Sequence, residues 1–86
     1  MSTIQLDIVT PERLVYSKKV NMVITKAANG DIGILPNHAP LVSTLAPTNV
    51  CAKISGIEEA IAISGGFLEV SPVKVTILAE TAELPG

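Results

Sequence analysis

The stretch Ile4-Gln-Leu-Asp-Ile8 alternates apolar and polar side chains at every step. Successive residues of a β-strand point to opposite faces, so one face of this segment is apolar and the other is polar. The same period of two recurs in three later segments, residues 20–25, 50–54 and 73–77. The pattern predicts strands that each bury one face in a core and expose the other face to water.

The alternation also predicts which side chains point inward. Most of the apolar bulk is Ile and Val, with only two aromatic residues, and β-branched side chains pack well on a pleated surface. We expect the inward-facing residues to be those that share the apolar phase of each segment: Ile4, Leu6 and Ile8; Val20, Met22 and Ile24; Val50, Ala52 and Ile54; and Val73, Val75 and Ile77.

Turn residues separate these segments at short intervals. Six prolines and six glycines are spread along the chain, and the pair Asn29-Gly30 is typical of a β-hairpin turn. Only Ala79-Glu-Thr-Ala-Glu-Leu84 has helical character, and there the sequence favours the start of a helix. Many short strands with few helical signals predict an all-β fold, either a sandwich or a barrel.

Length and charge exclude several classes of protein. The 86 residues correspond to one domain, and the formal net charge of −2 leaves no basic stripe for a nucleic-acid partner. Cys51 is the only cysteine, so no internal disulfide can form. The apolar runs are a few residues long, whereas a membrane-spanning helix needs roughly 20. We therefore expect a soluble chain without an export signal.

The candidate catalytic residues do not form a recognisable motif. His38 is the only histidine, and a zinc site usually needs three or four ligands. Glu58 and Glu59 are adjacent on a predicted strand, so they point to opposite faces and cannot act as an acid–base pair. We interpret Cys51 as a packed apolar residue, and the two glycines of Ser64-Gly-Gly66 as letting strands cross closely or bend. We expect no catalysis, no metal and no cofactor.

Asp31 allows two interpretations. It follows the predicted turn at Asn29-Gly30, where Asp is common for structural reasons. The second interpretation is functional, because a carboxylate at a loop tip suits a cationic partner.

A longer string, Gly30-Asp-Ile-Gly-Ile-Leu-Pro-Asn-His-Ala-Pro-Leu41, resembles the signature of the epsilon subunit of rotary ATP synthases, called delta in mitochondria. The opening Leu6-Asp-Ile-Val-Thr-Pro11 and the later Ser64-Gly-Gly-Phe-Leu-Glu-Val70 resemble two further blocks of that family. The blocks come in the family's order and spacing and cover nearly the whole chain. The family usually has Glu at position 31, so Asp31 is one methylene shorter.

The resemblance implies a ten-stranded β-sandwich of two sheets, spanning residues 1–86 as the family's N-terminal domain. It implies a non-catalytic role in the central stalk, where the domain fastens the gamma subunit to the ring of c subunits. The residues that it places toward the c ring are Asp31 and His38, framed by Pro36 and Asn37. It also implies a peripheral position at the cytoplasmic face of a bacterial inner membrane, or at the equivalent face of a thylakoid.

The family normally continues into a C-terminal helical hairpin that regulates ATP hydrolysis and, in some members, binds ATP. Because this sequence stops at Gly86, we expect it to lack ATP binding and autoinhibition. Two alternatives stay open. A free-standing module that binds proteins or carbohydrates would need a pocket or an aromatic platform, and Tyr16 and Phe67 are the only aromatic residues. A small hydrolase would depend on His38.

Overall fold

Ten β-strands form the regular structure of the computed structural model, which describes residues 2–27 and 30–84. No helix among these residues is long and apolar enough to cross a bilayer. The strands are β1 (Ile4–Val9), β2 (Leu14–Val20), β3 (Met22–Ala27), β4 (Gly30–Ile34), β5 (Leu41–Leu45), β6 (Thr48–Ile54), β7 (Ile57–Ile63), β8 (Gly66–Val70), β9 (Lys74–Ala79) and β10 (Ala82–Glu83).

The strands form two packed layers. Hydrogen bonds order them as β10-β7-β6-β3-β5-β8-β9-β1-β2, with β4 paired to β3 outside this order. The first layer holds β10, β7, β6, β3 and β4, and the second holds β5, β8, β9, β1 and β2. A single residue pair, Ala27 opposite Leu45, joins the layers, so the two predicted sheets are one continuous ladder. The predicted ten-stranded β-sandwich is confirmed.

The core lies between the inner faces of the two layers. In β1 the predicted alternation is confirmed, because Ile4, Leu6 and Ile8 are at most 1% exposed while the residues between them are half-buried. The first strand pairs with β2 on one side and with β9 on the other, and the β1–β9 pair is parallel. Parallel strands need a long connection between them. Here the connection runs from β2 to β8, so the β1–β9 pair brings the first and ninth strands of the sequence together.

The predicted face of residues 20–25 is wrong after Val20. Asn21 interrupts the strand: its backbone N–H donates to the Lys53 carbonyl oxygen at 2.7 Å, and its side-chain oxygen accepts from the Ser55 N–H at 2.7 Å. This bend resets the alternation. Val23 and Thr25 therefore point inward, at 0% and 2% exposure, and the predicted inward residues Met22 and Ile24 are only half-buried.

Val73 is also misplaced by the alternation. It was expected to share the buried face of Val75 and Ile77, which are both fully buried, but 72% of Val73 is exposed. The strand β9 begins only at Lys74. A turn closed by hydrogen bonds between Ser71 and Lys74 holds Val73 at its tip, outside the sheet.

The predicted helix at residues 79–84 is wrong. Ala79 is the last residue of β9, and Ala82 and Glu83 form β10, which pairs antiparallel with Ile63 and Ala62 of β7. Six residues are too few to offset the cost of nucleating a helix. The backbone groups at the edge of β7 are available for hydrogen bonding, so residues 82–83 form a strand against β7 and not a helix.

The predicted hairpin after β3 is confirmed by the pairing of its strands, since Ala27 lies opposite Gly30 in the antiparallel β3–β4 ladder. The residues that connect the strands, 28 and 29, lie outside the described residues, and so does the Asn29 half of the predicted Asn29-Gly30 turn. Gly30 itself has a φ of 119°, which favours glycine.

Candidate protein-binding site

Asp31 is an outward-facing residue near the start of β4. Ile34 is fully buried and Ile32 packs against the core, so the strand alternation turns Asp31 toward solvent. Lys26 lies directly opposite Asp31 in the ladder with β3, and no ion pair joins these two side chains in the described part of the chain. Asp31 therefore presents an exposed carboxylate on a strand whose one partner among the described strands is β3.

The loop of residues 35–40 follows the other end of β4 and contains the remaining predicted site residues. Asn37 has a φ of 67°, a conformation that Asn tolerates better than most residues. Its backbone N–H donates to the Pro72 carbonyl oxygen at 2.9 Å, and His38 Nδ1 donates to the Ala39 carbonyl oxygen at 2.7 Å. The bond to Pro72 ties the loop to the turn between β8 and β9, and the His38 bond lies within the loop.

The structure brings Pro36, Asn37 and His38 together but places Asp31 apart from them. Asp31 and Ile34 are separated by roughly 10 Å of strand, at about 3.3 Å per residue, and the loop lies beyond Ile34. The predicted residues therefore do not form one cluster. They form an extended surface along the edge strand, and we call Asp31 together with residues 36–38 the β4 edge.

A groove of about 820 Å³ lies at the loop end of the β4 edge. Leu35, which is 55% exposed, contributes to its apolar wall. Lys53 and Glu58 also line it, as a loose ion pair with 3.8 Å between Nζ and Oε2. Because both charges are about half exposed, this pair is weak and is free to rearrange against another protein. The mixed lining suits a protein contact.

The described residues contain no assembled catalytic or metal-binding cluster. No group of three or more His, Cys, Asp or Glu side chains that could hold a metal lies within residues 2–27 and 30–84. The polar contact of the His38 ring is a backbone carbonyl, not a carboxylate or a hydroxyl. Burial, followed by the nearby Glu58 carboxylate, raises the pKa of the Cys51 thiol, which disfavours the reactive thiolate.

A polar cluster that the sequence analysis missed lies at the seam, where the strand order ends and no backbone pairing joins β2 to β10 among the described strands. Glu59 lies on the same side of β7 as the buried Ile61. Lys18 lies on the same side of β2 as the buried Tyr16 and Val20. The Tyr16 hydroxyl donates to Glu59 Oε1 at 2.9 Å, and Lys18 Nζ donates to the same oxygen at 3.1 Å. These side chains connect the two layers where the backbone does not.

The seam cluster shifts the pKa of its acidic groups. The hydrogen bond from Lys18, and then that from Tyr16, holds the pKa of the Glu59 carboxyl below its ordinary value. Burial, with a smaller effect of Glu59, raises the pKa of the Tyr16 hydroxyl far above its ordinary value. Lys18 Nζ also lies 5.3 Å from the centre of the Tyr16 ring, a cation–π distance. Tyr16, Lys18 and Glu59 supply one another's polar contacts, so we interpret the cluster as structural.

This cluster predicts a specific dependence of stability on pH. Because the pKa of Glu59 is lowered in the folded state, its contribution is fully present above the ordinary value of 4.5 and is lost as the pH falls through the lowered value. We expect Glu59→Gln to unfold at lower urea than the wild type at pH 7, and the two midpoints to converge as the pH falls below 4.5. Glu12→Gln, on the exposed β1–β2 loop, is the control. A difference that does not change with pH would contradict the prediction.

Asp7 forms a second satisfied cluster, on the outward face of β1. Its carboxylate accepts hydrogen bonds from Gln5 Nε2 at 2.8 Å and from Ser17 Oγ at 2.7 Å, and it pairs with Lys74 Nζ at 3.2 Å. Partial burial alone would raise the pKa of Asp7, but these contacts outweigh it and lower the pKa. The cluster ties three neighbouring strands together, and its contacts use both carboxylate oxygens of Asp7.

Comparison with known proteins relates this chain to one family. A family profile described as "ATP synthase, Delta/Epsilon chain, beta-sandwich domain" matches residues 3–85. The ATP synthase epsilon chain of Brevibacillus brevis is 55% identical over all of this chain, and that of Alkalihalophilus pseudofirmus is 52% identical over 99% of it. The chain spans 66% and 64% of the lengths of these two relatives.

Solved structures agree with the sequence comparison. A chain in the mitochondrial ATP synthase of Euglena gracilis, from a structure of its OSCP, F1 and c-ring, superposes with a TM-score of 0.88 at 25% identity; the match covers 95% of this chain and 53% of that one. A chain of the central stalk and c-ring of Tetrahymena thermophila ATP synthase has the same fold, with a TM-score of 0.76 at 12% identity over 94% of this chain and 66% of that one. The chain described here therefore belongs to the family of the β-sandwich domain of the ATP synthase delta/epsilon chain.

Proposed function

We propose that this domain is a non-catalytic coupling element of the central stalk of an ATP synthase, which fastens the gamma subunit to the ring of c subunits. The observation that supports this function is the family match over residues 3–85, together with a fold that superposes on a chain from an F1/c-ring assembly. In this role the domain transmits rotation between its partners. The proposal gives the sandwich no part in binding ATP.

The β4 edge is the surface that we assign to the c ring. It combines an exposed carboxylate, Asp31, with a loop that a backbone hydrogen bond ties to the β8–β9 turn. A carboxylate can pair with a cationic side chain in a polar loop of a c subunit, and partial desolvation at the interface would strengthen that pair beyond an ordinary surface ion pair. Because the β4 edge is extended, it can contact more than one loop of a ring. The ring then holds the domain at the cytoplasmic face of the membrane.

Binding to purified gamma subunit and to purified c ring tests the proposed function directly. The 86-residue chain is immobilised, and each partner from the same ATP synthase is passed over it in turn. We expect both to bind, because a coupling element must hold both at once. A chain that is folded by circular dichroism yet binds neither partner would contradict the proposal.

Asp31→Arg tests the assignment of the β4 edge. Reversing one interfacial charge removes an attraction and adds a repulsion, so we expect the affinity for the c ring to fall about tenfold or more, and the affinity for gamma to stay unchanged. Asp31 is exposed, so the thermal unfolding midpoint should stay close to that of the wild type. Glu69→Arg is the matched control, since Glu69 is an exposed acid in β8 of the other layer. Unchanged ring binding by folded Asp31→Arg would leave Asp31 as a turn residue only.

A further inference from the structure

Two strand edges lie open on either side of the seam. The strand order ends with β2, and β1 is the one strand that pairs with it among the residues that the structure describes. Across the seam, β10 pairs with Ile63 and Ala62 of β7, and no described strand covers the same edge of β7 at residues 57–61. Both open edges fall within the usual length of a paired strand, so each could accept a further strand.

An open strand edge is a hazard, because its unpaired N–H and C=O groups can pair with a strand of another molecule. At this seam the charges of the two edges are complementary: β2 carries Lys18 and Lys19, and β7 carries Glu58 and Glu59. The β2 edge of one molecule is therefore attracted to the β7 edge of another. Charge complementarity thus identifies a second copy of this chain as the molecule that would add a strand at the seam.

Two of these four charges lie on the side of their strands that faces the core. Lys18 and Glu59 alternate with buried residues of β2 and β7, whereas Lys19 and Glu58 point outward. The side chains of Lys18 and Glu59 still keep 52% and 28% of their surface exposed, because the open seam leaves them a path to water. We call Lys18 and Glu59 the inward charges.

A strand added at the seam would close this path to water. It would extend the sheet over the inward charge beside it, and taking a charged side chain out of water is costly unless the new contacts compensate fully. A strand inserted between β2 and β7 would also separate Lys18 Nζ from Glu59 Oε1, which lie 3.1 Å apart, and break the 2.9 Å hydrogen bond from the Tyr16 hydroxyl. Both costs oppose the addition of a strand.

We propose that the inward charges, Lys18 and Glu59, prevent a second copy of this chain from adding a strand at the seam. Inward-pointing charged residues on edge strands are one of the devices that keep β-sheet proteins from pairing edge to edge. The inference goes beyond the proposed function and does not depend on it. It concerns the free chain, before any partner holds it.

The test compares two double variants of the whole chain, both of which keep the formal net charge at −2. Lys18→Thr/Glu59→Thr removes the inward charges. Lys19→Thr/Glu58→Thr is the matched control, because it removes one outward charge of each sign from the same two strands. Sedimentation is measured over a range of concentrations at pH 7. We expect Lys18→Thr/Glu59→Thr to reach about twice the monomer mass or more, and the wild type and the control to stay monomeric.

Hydrogen exchange identifies the edge through which the variant associates. In the associated Lys18→Thr/Glu59→Thr variant, amides of β2 and of residues 57–61 should exchange at least about tenfold more slowly than in the monomer. Amides of β4, whose outer edge is also open among the described strands, should exchange at an unchanged rate. Lys18→Met/Glu59→Gln is a second variant, which removes both charges but keeps the side-chain lengths and an acceptor for Tyr16. It keeps the test decisive if the threonine variant does not fold.

Four results would overturn the inference. If both variants of the inward charges are folded by circular dichroism and monomeric, the seam cluster has a structural role only. Equal association of Lys19→Thr/Glu58→Thr would show that the loss of any edge charge is sufficient. Slower exchange confined to β4 would place the contact at another edge. Unfolding of both variants would show that the inward charges are needed for the fold itself, which also contradicts the proposed role.

Discussion

Gly66→Ala is expected to lower the free energy of unfolding by about 3 kcal/mol or more, a large part of the stability of a domain of this size. A side chain at this position would be driven into the backbone carbonyl of Leu78 and against Ala79, which pairs with Gly66 across the β8–β9 ladder. Backbone atoms in a paired strand cannot move aside without breaking the ladder. The sequence predicted either a close crossing or a bend at Ser64-Gly-Gly66, and the structure shows the close crossing at Gly66.

Gly33→Ala is the matched control for Gly66→Ala. A side chain at Gly33 would also be too close to a neighbour, but that neighbour is the terminal methyl of Met22, at 2.8 Å, which rotates away at little cost. We expect this variant to stay within about 1 kcal/mol of the wild type, because alanine also restricts the unfolded chain more than glycine does. Urea unfolding followed by circular dichroism measures both variants. Equal losses of stability in the two would refute the steric explanation.

Val75→Ala is expected to lower the free energy of unfolding by about 2 kcal/mol, since it removes two fully buried methyl groups and leaves a cavity in the core. Val73→Ala removes the same atoms two residues earlier, and we expect its effect to stay within about 0.5 kcal/mol, because 72% of Val73 is exposed. The alternation of the sequence treats these two valines as equivalent. Thermal or urea unfolding of the two variants measures both effects. A similar loss of unfolding free energy in Val75→Ala and Val73→Ala would contradict the exposed position of Val73 at the turn.

The candidate site was only partly predictable from the sequence. The exposure of Asp31 follows from its place between Gly30 and the inward-facing Ile32, which is local information. The separation of Asp31 from His38 does not follow from a string of residues, because it depends on where β4 ends and on the bond from Asn37 to Pro72. The role of Asp31 and of residues 36–38 in binding the c ring stays a prediction.

The seam cluster shows which features a sequence pattern misses. Lys18 and Glu59 occupy inward positions of two strands, and a charge in the inward phase is a signal that the alternation contains. Nothing in the sequence identifies their partners, however, because Tyr16 and Glu59 are 43 residues apart. The same holds for neighbours within the second layer, since Val9, Phe67 and Leu78 become neighbours only when β1, β8 and β9 pair.

The sequence by itself determined the all-β class, the alternation within β1 and β6, and the presence of a crossing or bend at the glycines before β8. These features are local, because the two-residue period of a strand and the missing side chain of glycine act within a few residues. The tertiary structure alone decided the reset at Asn21, the strand at residues 82–83 and the separation of Asp31 from the loop of residues 36–38. Each of these depends on hydrogen bonds or contacts between distant segments, and their free energies override the local pattern when the two compete.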